Sequence, residues 1–539
     1  MQRWNGWGDP SINMEISKKA HLMLKELVGD SMPVPDVPIE QLLKNIPESR
    51  LPKNQMISVD PADRLLHAHG QSLPDWISLR GGTLPLFPDG VAHPSSLKEL
   101  EKIIRFASEN GIVIIPYGGG TSVVGHLNVP PEKRPVLSIS MKRLNQLISI
   151  DKKSHLATFE AGITGPDIEA RLRAHGFTLG HYPQSFEYSS LGGWIATRSS
   201  GQQSRHFGRI EQLFAGGEII TPKGKMNLPP FPASAAGPDL REIIMGSEGR
   251  LGVISKAILR ISPIPEKDIV YGVFFRSWDE ATEAARNIAN SKTPYSMLRL
   301  STAAETMTSL ALIAGHDTEI SVLTKYLRIR GISIDKACMC LIGFTGTHRI
   351  VKSAKKEAFG IIQNHGGVSA GPAMGNSWKK NRFRTPYLRN TLWDAGYAVD
   401  TLETAVTWDN VNLTLEAIES AIKSALRPFN ERIHVFSHLS HIYPTGSSIY
   451  TQFVFRITDS AMENLSRWKA IKQAASNAIV DAGGTISHQH GIGKDHAPYI
   501  KVEKGTVGLE MIKHIFDEID PEHRMSPGNI IQKAGKKWN

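Results

Sequence analysis

Three histidines fall within nine residues of the stretch GGTISHQHGIGKDH, which runs from Gly483 to His496. His488 and His490 are two apart, so in an extended segment both point to one side, and Gly491 and Gly493 keep the backbone beside them bare. Two imidazoles so placed could hold zinc, move protons in an active-site wall, or stand in a polar surface loop. Zinc needs a third and fourth ligand, and no His-x-x-x-His, Cys-x-x-Cys or Glu-x-x-His pattern accompanies the pair. The expectation is therefore no metal, with wall and loop both open.

A second chemistry is written in glycine. PYGGGTS, Pro116 to Ser122, follows an apolar run, and its three consecutive glycines free backbone N–H groups to face an anion such as a pyrophosphate. No Gly-Lys-Ser/Thr follows, which excludes a Walker A loop, and no Gly-x-Gly-x-x-Gly opens a helix as in a Rossmann unit. Alone the loop could be a plain tight turn. SSLGGWIATRSSG (Ser189 to Gly201) and MGSEGRLGVIS (Met245 to Ser255) add two more such segments, and three in one region suggest a long ligand held by backbone.

The elements that must position these loops are legible as patterns. In HPSSLKELEKIIRFASENGIVII, Ser96 and Glu99 form a capping box, Leu97, Leu100, Ile103, Ile104 and Ala107 line one helical face, and Gly111 ends the helix before a strand at Ile112 to Ile115. PVLSIS, QLISID and LATFEAG predict further strands, Thr164 caps a helix reaching Ala174, and RLGVISKAILRI predicts a strand pair. Beyond it, helical patterns such as TLEAIESAIKSAL alternate with strands such as KACMCLIGF and SIYTQFVFRI. The fold class is α+β. The boundaries are a largely helical N-terminal arm over 1–89, a glycine-rich domain over 90–265, a second sheet-and-helix domain over 266–505, and a segment over 506–539 returning to the first.

A chain of 539 residues needs two or three domains and can bury a site between them. Two cysteines, both in ACMCLIGF, exclude a disulfide framework and fit a reducing cytoplasm. No run approaches the roughly eighteen apolar residues that span a bilayer, and the N-terminus carries no apolar signal core. The net charge of +10 favours anionic partners. Basic residues are scattered apart from short clusters such as WKKNRFR, so nucleic acid is not expected.

PYGGGTS, AGITGPDIEARLRAHGFTLGHYPQS, SLGGWIATRSSG and GSEGRLGVIS together resemble the FAD-binding domain of vanillyl-alcohol oxidase type flavoproteins. More narrowly, RWNGWGDP, HYPQSFEYSSLGGW, ETAVTWDNV and the histidine stretch with GIGKDH resemble the alkylglycerone-phosphate (alkyl-dihydroxyacetone-phosphate) synthase family over nearly the whole chain. The resemblance implies a two-subdomain FAD-binding domain followed by an α+β cap domain that binds substrate. It places FAD contacts on Pro116, Tyr117, Gly118, Gly119, Gly120, Thr121 and Ser122. It places others on His181, Gln184, Ser185, Phe186, Glu187, Tyr188, Ser189 and Ser190, on Thr197, Arg198, Ser199 and Ser200, and on Glu248, Gly249, Arg250, Leu251, Gly252, Val253 and Ile254. The pyrophosphate loop holds neither His nor Cys, so FAD is expected to be noncovalent, with His126 the one candidate for attachment nearby.

The reaction so implied exchanges the acyl chain of a long-chain acyl-dihydroxyacetone phosphate for a fatty alcohol, the flavin serving as nucleophile and electron sink. Tyr450 matches the family's proton-transfer residue, Arg389 its phosphate-binding arginine, and Arg299 an arginine needed for activity. His488 and His490 match the outer two of three consecutive family histidines, and Gln489 replaces the middle one. Both substrates partition into lipid, which implies work peripherally at a membrane; a cytoplasmic location and a homodimer are also expected. The alternative is an FAD-dependent 2-hydroxy acid dehydrogenase of the D-lactate or glycolate type, to which a metal at His441, His488 or His490 would point.

Overall fold

A computed structural model describes residues 2–313 and 317–532. Its first two sheets build the glycine-rich domain. Strands Gly90–Ala92, Val136–Ser140 and Val113–Tyr117 pair in parallel, and Ile57–Ser58 of the N-terminal arm joins their edge. A five-stranded antiparallel sheet, in the order 147–151, 156–160, 253–260, 214–221 and 224–228, packs its inner residues around Phe159, Trp194 and Phe214. RLGVISKAILRI therefore supplies one strand, Val253–Arg260, where a pair was expected. It pairs with both neighbours, with register shifts against 214–221 at Ile254/Lys256 and Ile258/Leu259, and no turn residue interrupts it.

The helix Leu97–Glu109 buries Leu100, Ile103, Ile104 and Ala107. Its N-cap is half the expected box: Ser96 accepts from the Glu99 N–H, while the Glu99 carboxylate turns to Ser95 instead. Thr164 precedes Gly165–Arg173 without capping it, because its hydroxyl donates to Asp167. The arm carries four short helices, Lys18–Leu27, Ile39–Lys44, Pro61–Leu66 and Leu73–Arg80, separated by longer irregular stretches, and so is less helical than expected. Its prolines at 33, 35, 38, 47 and 52 fix extended backbone and remove donors.

The second domain is a seven-stranded antiparallel sheet, in the order 368–371, 267–275, 338–346, 297–301, 433–443, 446–456 and 397–407. Helices Trp278–Asn290, His348–Asn364, Val411–Ala425 and Ala461–Asp481 cover one face with apolar side chains. The other face looks toward the glycine loops. Beyond helix Ile500–Ile519 the chain runs back to the first domain, where Met525 bridges Ile114 and the Ser526 N–H donates to the Ile114 carbonyl.

Candidate active site

A cavity of about 750 Å³ lies between the glycine loops and the bare face of the seven-stranded sheet. One wall is backbone. Pro116, Gly118, Gly119, Gly120, Thr121 and Ser122 line it, and among the described residues no backbone N–H from 118 to 122 donates a hydrogen bond to the protein. Unpaired amides in a row are rare away from water and point to an anionic guest. The loop has no room for side chains: a methyl group on Gly119 would sit 1.8 Å from the Tyr188 carbonyl oxygen, and Gly120 has φ +70°. Gln184, Ser185, Ser189, Ser190, Thr197, Ser199 and Ser200 continue the wall with amide and hydroxyl groups, and Glu248, Gly249, Gly252, Val253 and Ile254 close it. These donors and the elongated cavity fit the pyrophosphate and polar chain of FAD.

Several residues expected at the cofactor turn elsewhere. Tyr117 is buried and donates to the carbonyls of Leu66 and His69. His181 packs on Trp194 with its Nε2 3.3 Å from the Ser199 hydroxyl, and burial lowers its pKa to about 3. Phe186 stacks on Phe383, and the Tyr188 hydroxyl meets that of Tyr387 at 2.7 Å. Arg198 donates to Glu242 and the Met245 carbonyl, Arg250 donates to the Met525 carbonyl, and Leu251 lies in the core. Glu187 does not line the cavity either. Neighbours in a motif alternate between facing the guest and anchoring the loop, and sequence similarity does not separate the two.

The opposite wall is side chain, set by the strand period of two. Tyr450, Gln452 and Val454 face the cavity from one strand, as their spacing predicts, beside His434, Phe436 and His438 of the next strand. The Tyr450 ring stacks on His438 with centroids 5.0 Å apart and meets the edge of His490 at 5.8 Å. Burial raises its pKa well above the ordinary phenol value, so the hydroxyl holds its proton. Arg299 is salt-bridged to Glu305, whose other oxygen lies 2.8 Å from His438 Nδ1. Burial pushes Glu305 up, but His438 and Arg299 more than offset it and hold it at about 2. Arg389 lies over the Trp76 ring, donates to the Gln71 carbonyl at 2.8 Å, and keeps its Nη2 without a partner. The cavity wall thus brings together Tyr450, Arg299, His490 and Arg389.

His488 is absent from that wall. The segment is irregular between 483 and 493, so positions two apart do not share a side. His490 and Gln489 line the cavity while His488 turns behind it, with Nδ1 3.1 Å from Glu403 Oε1 and Nε2 accepting from Arg209 at 2.8 Å. The Tyr443 hydroxyl is also 2.8 Å from Nε2. His441 Nδ1 lies 3.7 Å from the same Glu403 oxygen, and the Ser440 hydroxyl donates to it at 2.6 Å. Glu403, His441 and His488 have a spacing a metal could use. The Arg209 hydrogen bond argues otherwise: it requires a bare Nε2, hence a proton on Nδ1, the nitrogen beside Glu403, and it adds a positive charge beside any cation. Burial lowers the His488 pKa to about 4, which keeps the ring neutral.

The turn after His490 is latched to the backbone wall. The Glu248 carboxylate, well buried, accepts from the N–H groups of Ile492 and Gly493, the latter at 2.8 Å, and lies 3.1 Å from His126 Nε2. His126 Nδ1 is 2.7 Å from the Ser122 hydroxyl. Sequence reasoning did not anticipate Glu305, Glu403 or Arg209, each a single charged residue in an ordinary element. For Glu403 a signal existed, since a carboxylate in a strand directly opposite Tyr450 must find buried partners.

The fold and the amide-lined cavity define a flavoprotein of the FAD-linked oxidase type. Residues 88–227 match the FAD binding domain family, and 264–530 match the C-terminal domain of FAD linked oxidases. The alkyldihydroxyacetonephosphate synthase of Caenorhabditis elegans is 30% identical over 99% of this chain and 96% of its own length, and that of Dictyostelium discoideum 29% over 100% and 94%. A solved alkyldihydroxyacetonephosphate synthase superposes with a TM-score of 0.84 at 27% identity, over 98% of each chain. The chain belongs to the alkyldihydroxyacetonephosphate synthase family, and its cofactor is FAD.

Proposed function

We propose that this chain exchanges the fatty acyl chain of acyl-dihydroxyacetone phosphate for a fatty alcohol, giving alkyl-dihydroxyacetone phosphate for ether lipids. The observation that carries the reading is the makeup of one cavity: an amide cradle, a phenol and arginine wall, and an apolar end lined by Met14, Leu24, Leu312, Leu388, Leu392 and Phe436. The exchange balances without net oxidation: the bond between C1 and the ester oxygen breaks, the alcohol oxygen takes that carbon, and a carboxylate and one proton leave. When bound, the flavin supplies a nucleophilic nitrogen and an electron sink beside C1. Arg389 offers its unpartnered Nη2 edge to the phosphate. Tyr450, protonated and held between His438 and His490, gives and retakes the proton, and the Arg299–Glu305–His438 cluster fixes the ring on which it stacks. His490 reaches the cavity from the turn latched by Glu248, while His488 positions that segment from behind. The pyrophosphate loop itself carries neither His nor Cys, which supports noncovalent FAD.

Work at a membrane surface is part of the proposal. Among the described residues no helix is long and apolar enough to cross a membrane. The helix Lys18–Leu27 lines the apolar end with Ala20, Met23 and Leu24, exposes Leu22, and carries Lys18, Lys19 and Lys25, a pattern suited to an anionic lipid face. A homodimer and a cytoplasmic location complete the reading, the latter in keeping with two free buried cysteines. The test is incubation of the purified yellow protein with palmitoyl-dihydroxyacetone phosphate and hexadecanol, expected to release palmitate and form the hexadecyl ether. Bleaching by D-lactate or glycolate with no ether formed would overturn the reading in favour of a 2-hydroxy acid dehydrogenase.

A further inference from the structure

The cavity is lined by three guanidiniums, those of Arg299, Arg382 and Arg389. Glu305 neutralises the first. Among the described residues, the other two have no carboxylate at ion-pairing distance. Arg382, from the basic cluster WKKNRFR, is only 9% exposed. Its guanidinium lies over the rings of Tyr182 at 4.4 Å and Phe383 at 4.8 Å. Among the described residues its one hydrogen bond goes to the neutral Gln203 amide oxygen at 3.4 Å, and its Nε has no partner. The nearby Asp268 does not serve it, being bonded by Lys379, Thr345 and the Gln203 amide nitrogen. A buried cation left this way is costly unless a ligand completes it.

Arg382 and Arg389 are separate positions. Arg389 rests on Trp76 and Gln71 near the N-terminal arm, and Arg382 on Tyr182 and Gln203 of the glycine-rich domain, with no neighbour among these in common. The proposed exchange presents two anionic groups. One is the phosphate, present throughout. The other forms only as the bond between C1 and the ester oxygen breaks and its electron pair passes to the departing acyl oxygen. We propose that Arg382 is a second anion site, which receives the carboxylate of the departing fatty acid. The guanidinium presents a planar fork of N–H donors, the geometry that suits a flat two-oxygen group.

This assignment rests on the exchange reading, and its test is kept separate from turnover. Palmitate and dihydroxyacetone phosphate are titrated into purified holoenzyme, with binding read from the flavin absorbance. For Arg382→Gln the expected result is full flavin content, palmitate binding weakened about tenfold to a hundredfold, and dihydroxyacetone phosphate binding unchanged. Arg382→Lys, which keeps the charge and loses the fork, is expected to recover part of the palmitate affinity, and it carries the test if the Gln variant does not fold. Unchanged palmitate binding overturns the proposal. So does weakening confined to dihydroxyacetone phosphate, which would make Arg382 a phosphate group, or loss of flavin, which would make it a cofactor contact. Absence of ether product from the wild-type protein would sink the exchange reading instead.

Discussion

Facing each other across one cavity, the two walls recognise by different means. The wall of residues 116–122, 184–200 and 248–254 offers backbone amides and small hydroxyls, and what matters there is the lack of side chains. The sheet wall offers a phenol, imidazoles and guanidiniums on alternate strand positions, and what matters there is charge and proton state. The first should fail sterically and lose its cofactor. The second should keep the cofactor and lose turnover.

The largest effect is expected on the backbone wall. Gly119→Ala places a methyl carbon 1.8 Å from the Tyr188 carbonyl oxygen, so the loop must leave the segment it packs against. The protein should fold, as followed by circular dichroism, and be colourless, with activity lost along with flavin absorbance. Retained yellow colour would show that the two segments can part without disturbing the cofactor. On the sheet wall, Tyr450→Phe keeps the ring stacked between His438 and His490 and removes only the hydroxyl. Turnover should fall roughly a hundredfold to ten-thousandfold with flavin content unchanged. Near-normal turnover would make Tyr450 a packing residue and return proton transfer to His490.

The same contrast explains what could be read from sequence. The glycine triplet and the hydroxyl-rich segments are contiguous, so the backbone wall stands in the chain almost as it stands in space, and Gly118 to Ser122 emerge once the three glycine-bearing segments are read together. The sheet wall is assembled from strands far apart in the chain. Tyr450, Arg299 and Arg389 became candidates through family resemblance, and period two placed Tyr450 with Gln452 and Val454. The alternation fails where the strand bulges between Leu439 and Ile442, which brings Ser440 and His441 both to the cavity. It fails again at His488, where glycine turns replace extended backbone. No periodicity could reveal that Arg209, 279 residues away, donates to His488.

A smaller effect is expected behind the sheet wall. Glu403→Gln keeps the shape and an acceptor oxygen for His488 and Ser440 but removes the charge that His441 and His488 face. Burial opposes the carboxylate, yet the two histidines hold it well below the usual range, so the ionised form contributes to stability. A loss of roughly 1.5–3 kcal/mol in denaturant unfolding is expected, with turnover reduced less than in Tyr450→Phe. A larger turnover loss than in the Phe variant would place Glu403 in the proton path itself.

The smallest effect lies at the seam of the two walls, in the turn from Gly491 to His496. Glu248 holds the N–H groups of Ile492 and Gly493, and the Val124 carbonyl accepts from the N–H of Lys494 at 3.0 Å. Asp495 in this turn is half-buried, its Oδ2 buried and unpartnered, and desolvation raises its pKa to about 7, with Asp75 and Asp400 adding to the rise and Lys472 and His126 opposing it. Next to it Lys494 is lowered by burial to about 8, and its ammonium is bonded to the Asn128 carbonyl. A carboxyl raised on folding binds its proton more tightly in the native state than in the unfolded chain, where its value is about 3.9. Its contribution to stability is therefore full below about pH 4, falls as pH rises from about 4 to about 7, and stays lost above. Asp495→Asn copies the neutral acid and escapes that loss. The melting temperature of the variant should exceed that of the wild type by a margin that grows between pH 5 and pH 8, on the order of a few °C. A margin constant across that range would mean that Asp495 is ionised throughout and that Lys472 or Lys494, not a proton, answers its charge where the walls meet.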